Sequence, residues 1–159
     1  MKSANSPIAK SPNAAALAVF IAAVVVWAPA TGAVQGASQF RARLSTVPID
    51  VAMQSTIAGS GTATAVLTGT KLAVTGTFAN LKSPATVARI HVAPKGMRGP
   101  AVFDVQVTAG TSGTITGAVN LTAAQIEDLR NSRFYIQLHS EKAPDGNLWG
   151  WLLAREVPR

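Results

Sequence analysis

The sequence predicts an all-β domain: a Greek-key β-sandwich of about eight short strands with one short helix. Three observations carry that expectation. Apolar and polar residues alternate with a period of two in short runs between Phe40 and Leu153. Gly, Pro, Asn and Asp punctuate those runs. A single segment around Thr122–Arg130 departs from the alternation and takes helical spacing.

Residues 1–33 read as an export signal that stands apart from the fold. Lys2 and Lys10 are the only charges before Arg41, Ala14 to Trp27 is apolar, and Pro29 breaks the run ahead of Ala30-Thr31-Gly32-Ala33. A basic start, a short apolar stretch and a small-residue exit are the parts of a secretory signal peptide. The run is shorter than the roughly 20 apolar residues of a membrane span. Extended through Ala33 it approaches that length, so an uncleaved anchor is the rival expectation. Residues 34–39 are expected to form a flexible leader, and residues 40–155 the domain.

The strands follow in order. Phe40-Arg41-Ala42-Arg43-Leu44 puts three apolar side chains on one face and both arginines on the other. Gly61 to Thr68 and Lys71 to Ala79 form a hairpin turning at Gly69-Thr70, with Leu72, Val74 and Phe78 as core candidates. Val87 to Val92 is the next strand. Val102 to Val107 alternates again and is followed, after Gly110-Thr111-Ser112-Gly113, by Thr114 to Val119. Phe134 to His139 and Leu148 to Leu153 complete the set.

The helix between them has a legible start. Thr122-Ala123-Ala124-Gln125 is a capping box, and Leu121 and Ile126 are spaced as a hydrophobic staple. Ile126 and Leu129, three apart, share a buried face, while Glu127, Asp128 and Arg130 stay in water. Asn131 and Ser132 end it.

Composition narrows the chemistry. There are no cysteines, which removes thiol catalysis, thiolate metal sites and disulfides. An exported chain of about 125 residues without disulfides relies on its hydrophobic core, and that length suffices. The net charge is +7; without Lys2 and Lys10, 12 basic residues face 7 acidic ones. The basic residues are scattered, so the clustered footprint of a nucleic-acid binder is missing. No Gly-x-Ser-x-Gly nucleophile motif is present. Glu141 and Asp145 flank a turn and read as solvated charges. No catalytic residues are expected.

Several segments together are similar to a known family. Phe40 to Leu44 opens the pattern, and Gly61 to Phe78 with Asn80-Leu81 follows. Next come Ala88-Arg89-Ile90-His91 and Gly99-Pro100-Ala101-Val102. The Leu121 to Leu129 helix leads to Tyr135-Ile136-Gln137-Leu138-His139-Ser140, and Pro144-Asp145-Gly146-Asn147-Leu148-Trp149-Gly150-Trp151-Leu152 closes the series. In that order they resemble the CHRD domain, named after chordin and widespread in bacterial exported proteins. The resemblance implies a β-sandwich related in outline to copper–zinc superoxide dismutases. Fold likeness does not transfer activity. The chain departs from the family twice: Arg89 stands where a His-x-His pair usually begins, and Asn147 and Trp149 stand where an acid and an Arg are usual.

The only two histidines, His91 and His139, fall near the ends of their strands. If those strands are neighbours, the imidazoles converge. A metal is the functional expectation, copper first outside the cytoplasm, with Met97 adding preference for copper(I). Two His are too few for a closed zinc site, so Asp104, Glu141, Asp145 or Met97 would have to join them. Arg89, a fixed charge beside His91, opposes a cation. A shared ion asks for rings within about 5 Å and a third donor. The structural alternative is that each His bonds a backbone carbonyl or Tyr135. Trp149 and Trp151 share one face of the last strand, opposite Leu148 and Leu152. They form an exposed partner platform if the leucines are core, or core themselves if not.

The expected function is a secreted or periplasmic, non-enzymatic interaction module of the cell envelope. Its expected partner is an envelope or extracellular protein, with neither nucleic acid nor a retained membrane span involved. Metal binding through His91 and His139 is the alternative.

Overall fold

The computed structural model describes residues 37–155. The expected export signal, residues 1–33, and residues 34–36 of the expected leader lie outside the described residues. Nine strands form: β1 (Ser38–Thr46), β2 (Ser60–Thr68), β3 (Lys71–Ala79), β4 (Ala85–Val92), β5 (Ala101–Val107), β6 (Gly113–Asn120), β7 (Phe134–Ser140), β8 (Ala143–Trp151) and β9 (Leu153–Ala154). One α-helix, α1 (Ala123–Arg130), joins β6 to β7, and a short 3-10 helix (Ala52–Ser55) lies between β1 and β2.

Most boundaries match the alternation to within a residue or two. Two do not. β1 begins at Ser38, so Ser38 and Gln39 are strand and not leader; their backbones pair with Leu67 and Val66. β8 begins at Ala143, inside the segment expected to be a turn, because Glu141-Lys142 suffices to reverse the chain and Ala143 pairs with Ser140.

All strand pairings are antiparallel, and the order β1-β2-β3-β6-β5-β4-β7-β8 returns to β1. Eight strands therefore close on themselves, with β9 added beside β1. Two strands make the closure. β1 pairs with β2 along Ser38–Leu44 and with β8 at Ser45 and Thr46. β5 pairs with β4 at its start and with β6 at Gln106 and Val107.

The interior follows from the alternation. Phe40, Ala42 and Leu44 point inward from β1, Leu72, Val74 and Phe78 from β3, and Phe134, Ile136 and Leu138 from β7, in one apolar cluster. The helix contributes Leu129, fully buried, with Leu121 before the cap and Ile126 after it in the same cluster. Its capping box is made in full: Gln125 N donates to Thr122 Oγ1 at 3.3 Å and Thr122 N to Gln125 Oε1 at 2.9 Å. Outside, Thr62 and Thr64 of β2, Thr75 and Thr77 of β3, and Thr114 and Thr116 of β6 are exposed and lie in matched register.

Two strands, β7 and β8, break the in–out rule, β7 along its whole length. All seven residues of β7 are buried. Its outward side chains Tyr135, Gln137 and His139 are roofed by three connections: the loop after β4, the bulged start of β8, and the segment between β1 and β2. Val47, Ile57, Ala93, Ala143, Tyr135 and Trp149 pack there as a second apolar cluster. No helix among the described residues is long and apolar enough to cross a membrane.

Candidate functional site

The roofed face of β4, β7 and β8 gathers most of the residues singled out in the sequence. β4 and β7 are neighbours, with His91 opposite Tyr135, Arg89 opposite Gln137 and Val87 opposite His139. Trp149 and Trp151 of β8 lie opposite Gln137 and Tyr135. The two imidazoles, 48 positions apart in the chain, have ring centres 6.4 Å apart and planes inclined by 31°.

Each imidazole is held by a backbone carbonyl. His91 Nδ1 donates to Gly99 O at 2.8 Å, and His139 Nδ1 donates to Pro144 O at 2.7 Å. A carbonyl only accepts, so Nδ1 carries a proton in both rings. In the neutral ring the lone pair then sits on Nε2. Both Nε2 atoms are buried and bond to no protein group. His139 is 7% exposed. Burial lowers its pKa below the ordinary 6.5; the bond to Pro144 opposes this, and the charges of Arg89, His91 and Arg98 add to the lowering.

Tyr135 organises the aromatic end. It is fully buried, stacks on His91 with ring centres 4.9 Å apart, and meets Trp151 at 4.8 Å and Trp149 edge-on at 6.0 Å. Its hydroxyl accepts from Gly99 N at 3.1 Å. His91 and Tyr135 thus clamp the same glycine, which positions the loop after β4. Trp151 Nε1 donates to Ala93 O at 3.2 Å and ties the base of that loop to β8.

The other roof is the bulge in β8. Leu138 pairs with Leu148 and Ser140 with Ala143, so four residues of β8 face His139 alone. The surplus chain folds over the sheet. Asp145 O accepts from Gln137 Nε2 and from Arg98 Nη1, each at 2.8 Å. Gly146 has φ +126°, a conformation suited to glycine. Asn147 is fully buried and donates through Nδ2 to Ser140 Oγ at 2.9 Å.

Of the two readings of Trp149 and Trp151, platform or core, Trp149 takes the core one. Leu148 and Leu152 are in the main core, yet Trp149 is also buried, at 9% exposure, and Trp151 is half-buried. The choice between faces assumed one side of β8 in water, whereas both sides are covered. Met97 is 59% exposed on the loop after β4. Asp104 is engaged by Arg89, whose Nε lies 2.9 Å from Oδ1. Glu141 and Asp145 are exposed. Among the described residues, no group of three or more His, Asp or Glu is placed to hold a metal ion. The rings stand farther apart than the 5 Å expected for a shared site with a third donor.

A second surface lies outside β1, β2, β3 and β9. An open groove of about 840 Å³ runs past Arg41, Arg43, Thr62, Thr77, Leu153 and Arg155. A smaller depression of about 240 Å³ adjoins it through Arg43 and Leu153 and reaches Lys95, Trp149 and Trp151. No acidic residue lines either one. Alternation in Phe40–Leu44 already placed both arginines outward; that β9 would fold back beside them had no signal in the sequence.

An antiparallel barrel of eight strands, closed by β1 and β5, with two roofs over β7 held down by the histidines, defines an all-β domain of a single class. Residues 40–152 match the CHRD domain model, from the first inward phenylalanine to the last core leucine, and the chain belongs to the CHRD domain family. Comparison with curated proteins and with solved structures finds no match.

Proposed function

We propose that this domain is an exported, non-enzymatic interaction module of the cell envelope, secreted or periplasmic. Its partner is an acidic segment of an envelope or extracellular protein, taken along the Arg41–Arg43 face. One observation carries the reading: Arg41, Arg43, Arg155 and Lys95 line two adjoining grooves that hold no acidic side chain. Such a face attracts anionic partners and speeds their encounter. The leader sequence supports export, and the strand order supports a Greek-key reading. β4, β5 and β6 follow one another and β7 returns through α1 to lie beside β4. That outline is the one the family resemblance attributes to superoxide dismutases, and it implies no activity.

The test is crosslinking in envelope extracts with the full chain and with an Arg41→Glu/Arg43→Glu variant. A partner captured by the first and lost by the second, with capture weakened by salt, supports the reading. Identical capture by both, or an inert monomer, overturns it.

A second reading, metal binding through His91 and His139 with copper as the first choice, is favoured by the two buried, unpartnered Nε2 atoms. Thermal unfolding with Cu⁺, Cu²⁺ and Zn²⁺ tests it, because an ion that binds only the folded chain raises the transition temperature. A shift that survives replacement of both histidines removes it.

A further inference from the structure

We propose that His91 Nε2 and His139 Nε2 bind one soft monovalent cation in line between them, copper(I) or its redox-inert stand-in silver(I). The proposal rests on the metal reading above and narrows it to one class of ion.

The anchoring of the rings is the first ground. A histidine that ligates through one nitrogen commonly has the other held by a carbonyl or carboxylate, which fixes the tautomer and the ring plane. His91 and His139 are each held in this way, through Nδ1, by Gly99 O and Pro144 O. The carbonyls belong to the two roofs, so the fold itself presents Nε2 as the free donor. Both Nε2 atoms are buried and bond to no protein group.

The spacing is the second ground. A metal takes an imidazole nitrogen at about 2 Å, and that nitrogen lies about 1 Å from its ring centre. Two rings in line across one ion therefore have centres roughly 6 Å apart, and two rings at a tetrahedral angle about 5 Å. The observed 6.4 Å matches the in-line case. It also exceeds what a direct bond between the two Nε2 atoms would allow.

Donor number and charge supply the third. Zinc asks for three or four ligands, and here Asp104 is committed to Arg89 while Glu141 and Asp145 face solvent. Copper(I) and silver(I) accept two nitrogen donors in line. Arg89 and Arg98 both act on His139 as positive charges. Their repulsion scales with the charge of the ion, so a monovalent ion is opposed half as strongly as a divalent one.

The experiment titrates the full chain with Ag⁺, and anaerobically with Cu⁺ against a chromogenic chelator, beside Zn²⁺ and Cu²⁺. The variants are His91→Asn, His139→Asn and Met97→Leu. Asparagine retains an amide donor for the carbonyl and removes Nε2, and circular dichroism checks that each variant folds. The expected result is one Cu⁺ or Ag⁺ per chain, at least about 100-fold weaker in either asparagine variant and unchanged in Met97→Leu. X-ray absorption is expected to find two nitrogen neighbours and no sulfur. Zn²⁺ or Cu²⁺ binding as tightly as Cu⁺, and lost in the asparagine variants, overturns the monovalent site while leaving the metal reading intact. Cu⁺ binding that survives the asparagine variants, or no binding of any ion, overturns both.

Discussion

Gln137 donates from Nε2 to the carbonyl of Asp145 at 2.8 Å, reaching out of the sheet to hold down the bulge that covers it. The bond requires close approach, and the next residue, Gly146, permits it. A Cβ on Gly146 would overlap the Gln137 amide, and the φ of +126° is strained for any other residue. Gly146→Ala is expected to destabilise the fold by about 2 kcal/mol or more, from strain and from loss of this bond. Urea unfolding measures it. A change below about 0.5 kcal/mol would show that the bulge adjusts freely.

Tyr135 holds the opposite roof through its hydroxyl. Tyr135→Phe keeps the stacking on His91 and removes the acceptor for Gly99 N–H. A partly buried amide left without a partner costs about 1–3 kcal/mol. The loss should appear in denaturant unfolding, and faster hydrogen exchange at the Gly99 amide should accompany it. Unchanged exchange would mean that His91 alone positions the loop.

His139 makes stability depend on pH in a defined direction. Its folded pKa lies below the ordinary 6.5, chiefly because burial disfavours the charged ring. Above 6.5 both states are neutral there and the group contributes no pH dependence. As pH falls below 6.5, the unfolded chain takes up a proton that the folded chain resists, so stability declines until the folded pKa is passed. Unfolding free energy followed between about pH 8 and pH 5 should fall in the wild-type chain and fall less in His139→Asn. Parallel profiles would assign the effect to another group.

The helix cap is independent of the site. Thr122→Ala removes the hydroxyl that accepts from Gln125 N and should cost about 1 kcal/mol, with Thr122→Ser close to neutral. Thermal unfolding of both variants checks the pair. Equal loss in the two would show that the γ-methyl group and not the hydroxyl matters.

Much of this architecture was legible in the sequence because the signals are local. Alternation located the strands, Thr122 and Gln125 located the helix, and His91 and His139 fell near strand ends, where they converge if those strands are neighbours. The long-range features were not legible. Nothing local states that β3 lies beside β6, or that β4 lies beside β7. The coverage of β7 was missed for a related reason: alternation reports which residues share a side, not whether loops roof that side. Tyr135, Gln137 and His139 share one side by alternation, and it is the loops over that side that bury them. Asn147 offered one clue, a lone amide entering an apolar run, and it proves to be held by Ser140. Trp149 and Trp151 were read through a choice of one inner face, whereas β8 has two.

Closure of the ring at β1 and β5 bears on how this chain behaves among copies of itself. An open sheet offers its outermost strand as a template for further chains, which is how fibrils begin. Here β1 meets β8 at Ser45 and Thr46 and β5 meets β6 at Gln106 and Val107, so each of the eight strands has a neighbour on both sides. A molecule with no cysteine to cross-link it into shape is thereby also poorly equipped to recruit copies of itself.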